Sequence, residues 1–141
     1  MVGKCYLMHL KDYMSDRIKP YKNFKNLVVS SGSGVTLSGL AKGFFEEELK
    51  EFFPQTNKTI YTTCVSSENS IKKMLKRNGL NQLPIDIRKS EFDFDNRMDD
   101  YTTPFPCNQF WDIKQWHWLE ENIDSIDGDI LFWNIGGVYK Y

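Results

Sequence analysis

Apolar positions along the chain alternate between two periods, two residues and about 3.6 residues, and the switches divide it into strands and helices. Lys4 to Leu10 reads as a first strand. Asp12 to Lys25 is polar with Pro20 near its middle, which predicts a short helix followed by a loop. Lys25 to Ser31 then reads as a buried strand, running into the Gly/Ser stretch Ser30-Ser31-Gly32-Ser33-Gly34. Leu37, Leu40, Ala41, Phe44, Phe45, Leu49, Phe52 and Phe53 follow at helical spacing and form one wide apolar stripe. Thr36 or Ser38 is the expected N-cap, and Pro54 closes the pattern. Gly39 and Gly43 lie four apart on this helix at a cost of about 1 kcal/mol each relative to Ala, which close packing against a neighbour at Gly43 would offset.

The second half repeats the alternation. Thr59 to Val65 is rich in Thr, Ile, Tyr and Val and reads as a strand. Ser66 or Ser67 then caps a helix with Ile71, Met74 and Leu75 inside, and Asn78-Gly79 ends it. Ile85, Ile87, Phe92 and Phe94 mark strand-like pieces, and Asp99 to Cys107, with Pro104 and Pro106, is a loop. Asn108 is expected to open a last helix whose inner stripe takes Phe110 or Trp111, Ile113, Trp116, Leu119, Ile123 and Ile126. Asp127-Gly128 turns the chain into a strand over Asp129 to Ile135, and Gly136-Gly137 folds Val138 to Tyr141 back as a hairpin. Strands alternating with helices predict an α/β protein of two or three layers. Its sheet is mixed and largely parallel, with three to four helices, and residues 1–141 form a single globular domain.

Composition narrows the class without naming a reaction. With 141 residues, 40% hydrophobic and 15% aromatic, the chain can build a core unaided by disulfides or metal. No apolar run is long enough to cross a bilayer, and the first residues do not resemble a secretory signal, so a cytoplasmic location with Cys5, Cys64 and Cys107 as free thiols is expected. The sequon at Asn57-Lys58-Thr59 then carries no weight. Basic residues predominate before residue 91 and acidic ones after it. This split disfavours nucleic-acid binding and suits a homo-oligomer pairing unlike faces.

The junction of strand, Gly/Ser loop and helix is the one local arrangement that points to chemistry, because it leaves backbone N–H groups where an anion can sit. It nearly matches three known patterns and completes none. A dinucleotide fingerprint would need glycine at Leu37; a P-loop would need Lys and a hydroxyl at Leu40 and Ala41; a nucleophile elbow around Ser33 would need glycine at Ser31 and Val35. The expected ligand is therefore a phosphate-bearing or other anionic, nucleotide-like small molecule held by Ser30, Ser31, Gly32, Ser33, Gly34 and Lys42, with Arg17, Lys19, Lys22 and Lys25 closing over the loop. Gly34→Val is expected to remove binding and spare the fold. Were the protein catalytic, Ser33, His9 and His117 would be the candidates for proton transfer.

Other chemistry finds no complete motif. Cysteines and histidines lack metal-ligand spacing, and Asp93, Asp95, Asp99 and Asp100 depart from the EF-hand loop at Arg97 and Met98, so neither a cofactor nor a metal is expected. The competing reading is a non-catalytic inhibitor or adaptor that captures a protein partner through its acidic, Trp-rich last third, with Trp111, Trp116 and Trp118 as anchors.

Overall fold

The computed structural model describes residues 13–51, 55–64, 67–92, 98, 101–107 and 111–134. The expected first strand, the final hairpin, Phe52-Phe53-Pro54, Phe94 and Asn108 lie outside these residues. Residues 13–18 are helical and tighten into a 3-10 turn at Lys19–Tyr21, as the polar segment with Pro20 implies.

Four strands, β1 (Asn26–Val29), β2 (Thr59–Cys64), β3 (Ile85–Lys89) and β4 (Ile130–Trp133), form one sheet in the order β3-β2-β1-β4. Every pairing is parallel, with Leu27 opposite Ile60 on one side and Leu131 on the other. The chain steps outward from β1 to β3, then returns across the sheet to add β4 on the far side of β1. The strand order therefore reverses between β1 and β4, and in open parallel sheets that switch point marks the crevice where ligands bind.

The helices are α1 (Val35–Phe44), α2 (Glu46–Lys50), α3 (Glu68–Arg77) and α4 (Asp112–Asn122). Alternation along the strands assigns each helix to a face. Leu27, Val29, Ile60 and Cys64 join Leu37, Leu40, Phe44, Ile71 and Leu75 of α1 and α3 in one buried cluster. Tyr61, Thr63 and Phe132 point the other way and meet Trp118, Gln115 and Trp116 of α4. The fold is thus a three-layer α/β arrangement, and the sheet expected to be largely parallel is wholly parallel among the described residues.

Two local details differ from expectation. The N-cap of α1 is Gly34, not Thr36 or Ser38, because the strand-to-helix turn demands a left-handed residue, and Gly34 has φ +91°. Ser38 lies inside the first turn, where its hydroxyl donates to the Gly34 carbonyl at 2.7 Å. The apolar stripe also continues through a break at Phe45 into the short helix α2. Gly43 serves close packing, since a Cβ there would lie 2.3 Å from the Ser15 carbonyl oxygen.

Candidate functional site

The Gly/Ser loop leaves β1 at the carboxyl edge of the sheet, beside the switch point. Ser30 and Ser31 are buried and fully engaged. The Ser30 hydroxyl donates to Asp112 Oδ1 at 3.0 Å. Ser31 extends β1 by one bridge to Cys64, its N–H donates to the Thr63 carbonyl at 3.2 Å, and its hydroxyl accepts from Thr62 at 2.9 Å. These two serines hold the loop to β2 and α4. Gly32 and Ser33 form its exposed tip, and Ser33 Oγ lies 3.5 Å from the Val35 N–H. The first-turn N–H groups of α1 beyond it have no acceptor within the helix and carry the positive end of its dipole.

Facing the loop, the first turn of α4 is buried on all sides. Asp112, Ile113, Lys114 and Gln115 are each no more than 4% exposed. Gln115 Oε1 accepts from the Thr63 N–H at 2.7 Å and from the Thr63 hydroxyl at 2.9 Å, while its Nε2 is buried with no hydrogen-bond partner among the described residues. An orphaned amide donor costs about 1–3 kcal/mol, and the next residue, Trp116, likewise has its Nε1 buried with no partner among the described residues. Lys114 lines a groove of about 170 Å³ with Thr63, Lys89, Glu91 and Trp118.

The residues anticipated from sequence divide into those at this edge and those elsewhere. Ser30 to Gly34 are here. Lys42 is exposed in the last turn of α1, about 12 Å along the helix from Gly34, because the helix begins earlier than its assumed cap. Lys25 stands before β1, at the opposite edge of the sheet, paired with Asp127 at 2.7 Å. Lys22 is held by Glu46 and Glu47 at 3.3 and 3.0 Å, and Lys19 by Asp16 at 3.2 Å. Arg17 lies over the Tyr13 ring at 5.9 Å and lines a separate cleft against β4. These basic residues do not close over the loop.

His9 is outside the described residues. His117 has Glu91 and Glu121 as polar neighbours, not Ser33. Trp111 is 37% exposed. Trp116 is half-buried against Phe105 and Phe132, and Trp118 is half-buried against Tyr61 with the Arg88 guanidinium 5.7 Å from its ring. The sequence reading missed Asp112, Lys114, Gln115, Thr62 and Thr63. Their signal was available: Asp112 and Gln115 share a helix face with Leu119, and Thr62-Thr63 ends a strand whose partners are buried.

Among the described residues, no helix is long and apolar enough to cross a membrane. No protein-family model matches the chain. It is 32% identical, over an alignment of 115 residues that covers 78% of this chain, to a protein of Pseudomonas phage M6 named glycyl-dTMP PLP-dependent decarboxylase. The matched region spans about 40% of that relative's length.

Proposed function

We propose that this chain binds a phosphate ester, with the phosphate at the Gly32–Gly34 tip and the first-turn N–H groups of α1. The observation that carries the reading is the loop's position: a glycine-capped helix start at the carboxyl edge of a parallel sheet, at its switch point. Ser33 contributes a hydroxyl, while Ser30 and Ser31 position the loop through Asp112 and Thr62.

The relative's name makes pyridoxal phosphate the first phosphate ester to test. Two separate features suit parts of such a molecule, the loop and a groove that the loop residues do not line. The loop suits the phosphate, and the buried amine of Lys114, in a groove walled by Phe92 and Trp118, suits an aldehyde. Pyridoxal phosphate, when bound, supplies an electron sink for chemistry at the carbon next to an amine. Lys114 would hold the aldehyde end, Trp118 and Phe92 would exclude water from it, and Gln115 Nε2, without an acceptor among the described residues, would be free to donate to the ligand.

The experiment is a titration with pyridoxal phosphate beside inorganic phosphate and nucleotides, read by thermal stability and by absorbance. Borohydride reduction and peptide mapping follow. Labelling confined to Lys114 and lost in Gly32→Val is the expected result. Labelling scattered over surface lysines such as Lys72 and Lys73 would remove the cofactor, and no stabilisation by any phosphate ester would remove the loop site.

A further inference from the structure

We infer that Glu91, His117 and Glu121 form a binding site for one divalent first-row transition ion, with His117 and Glu121 as ligands and Glu91 as the carboxylate that orients the imidazole. The three come from two elements. Glu91 follows β3, while His117 and Glu121 are four residues apart on α4 and therefore stack on one face of it. One ligand atom from each lies within 4.8 Å of the others.

The imidazole is held in place before any ion arrives. Phe92 and Tyr101 pack against it from two sides, each with its ring centroid 5.0 Å away and its plane at 86° and 60° respectively. His117 Nδ1 lies 3.2 Å from a Glu91 oxygen, and Nε2 lies 3.6 Å from a Glu121 oxygen. A neutral imidazole carries one N–H and one lone pair. Glu91 and Glu121 thus place a carboxylate oxygen at each ring nitrogen, an arrangement that takes up either a second ring proton or a cation at Nε2. A metal ion at Nε2 leaves Glu91 in the role that carboxylates commonly play behind a metal-bound histidine.

Distance and donor type agree with this reading. Ligand atoms sharing an ion at bonds of about 2.1 Å stand roughly 3.0–3.4 Å apart, so Nε2 and the Glu121 oxygen need close by only a few tenths of an ångström. Glu121 is exposed enough to make that adjustment. A mixed nitrogen and oxygen pair suits zinc, cobalt, manganese or iron better than calcium or magnesium. Glu91 and Glu121 also line the groove that holds Lys114, so the ion's remaining positions lie at the rim of that groove. The inference does not depend on phosphate binding at the loop.

The test is titration of the purified full chain with Co²⁺ and with Zn²⁺, followed by calorimetry and visible absorption. One saturable equivalent without thiolate-to-cobalt absorption is expected. His117→Ala should abolish it, Glu121→Gln should weaken it at least tenfold, and Glu91→Gln should weaken it by about ten- to a hundredfold. Glu121→Gln alters an exposed side chain, so its result stands even if His117→Ala fails to fold. No saturable equivalent would overturn the proposal. So would unchanged affinity in Glu121→Gln, thiolate absorption, or loss of binding in Cys5→Ser or His9→Ala in place of His117→Ala.

Discussion

The two edges of this sheet handle polar groups in opposite ways. At the amino edge, cations are tied down by carboxylates and carbonyls. Lys25 bonds Asp127 and takes a backbone bond to Asp129, Lys22 bonds Glu46 and Glu47, and Lys58 reaches Glu48 and the carbonyls of Lys22 and Phe44. At the carboxyl edge the groups are serine and threonine hydroxyls, a buried aspartate, a buried lysine and a glutamine whose Nε2 has no partner among the described residues. The amino edge pairs its lysines with carboxylates, and Glu48 Oε2 is the polar atom there that is buried with no hydrogen-bond partner among the described residues. The carboxyl edge carries polar groups whose burial costs stability and returns a constellation, which is what a binding edge looks like.

The strongest way to break this comparison is at Lys58. Its side chain is 13% exposed, its Nζ lies 3.6 Å from Glu48 and 4.4 Å from the Phe44 ring centroid, and burial pulls its pKa below the ordinary lysine value. Lys58→Met strands a buried carboxylate and should cost about 3 kcal/mol by urea unfolding. Lys58→Met with Glu48→Leu should recover most of that loss, which would mark the pair as structural.

Two aspartates then set the edges against each other directly. Asp112→Ala removes the acceptor of the buried Ser30 hydroxyl and should cost about 2 kcal/mol. Asp127→Ala removes a carboxylate that is 94% exposed, although Lys25 holds its pKa below the usual range, and should cost clearly less than Asp112→Ala because solvent screens the pair. Equal losses in the two variants would show that burial does not separate the edges.

The glycines of the loop sharpen the functional side. Gly34 has φ +91°, and a Cβ there would lie 3.3 Å from Met74, so Gly34→Val should lose about 1–3 kcal/mol whatever it does to binding. It is therefore not the clean probe that the sequence suggests. A Cβ on Gly32 would meet nothing within 4 Å, and Gly32→Val should keep its melting temperature while losing phosphate binding. Retained binding in a folded Gly32→Val would take the tip of the loop out of the site.

How much of this was legible in the sequence depended on which signal dominated locally. Strands β1 to β4 and helix α3 declare themselves, since apolar period, a serine cap and Asn78-Gly79 all agree; Ser67 does cap α3, and Gly79 has φ +71°. The Gly/Ser loop was legible for the same reason. What was not legible is which end of the sheet a residue occupies, because sequence proximity is no guide across a strand. Lys25 is five residues from Ser30 yet lies at the other edge, and Lys42 is two turns away along α1. Helix α4 misled differently. Its apolar residues Trp116 and Ile123 suggest the inner stripe, but Ile123 is 47% exposed, while Asp112 and Gln115 are buried because the carboxyl edge offers them Ser30 and Thr63, and Lys114 is buried between them in sequence.

The smallest effect distinguishes the aromatic wall of α4 from the amino edge by pH. Burial pushes the Cys107 thiol up from 9.0 to about 11, and burial followed by the Glu120 hydrogen bond pushes Tyr101 from 10.0 to about 12. Between these limits the folded chain keeps protons that the unfolded chain has released, so stability falls as pH rises through that range. Lys58 has the opposite sign. Its folded pKa lies below 10.5, the unfolded chain binds more protons there, and stability rises with pH. Chemical unfolding at pH 8 and pH 10 should therefore show a net loss of about 1 kcal/mol. Cys107→Ala should reduce the loss to what Tyr101 and the buried Cys64 thiol, also raised by burial, leave, and Lys58→Met should deepen it. A pH response untouched by Cys107→Ala would mean that the thiol is hydrated, and that the wall of α4 is more open to water than its packing implies.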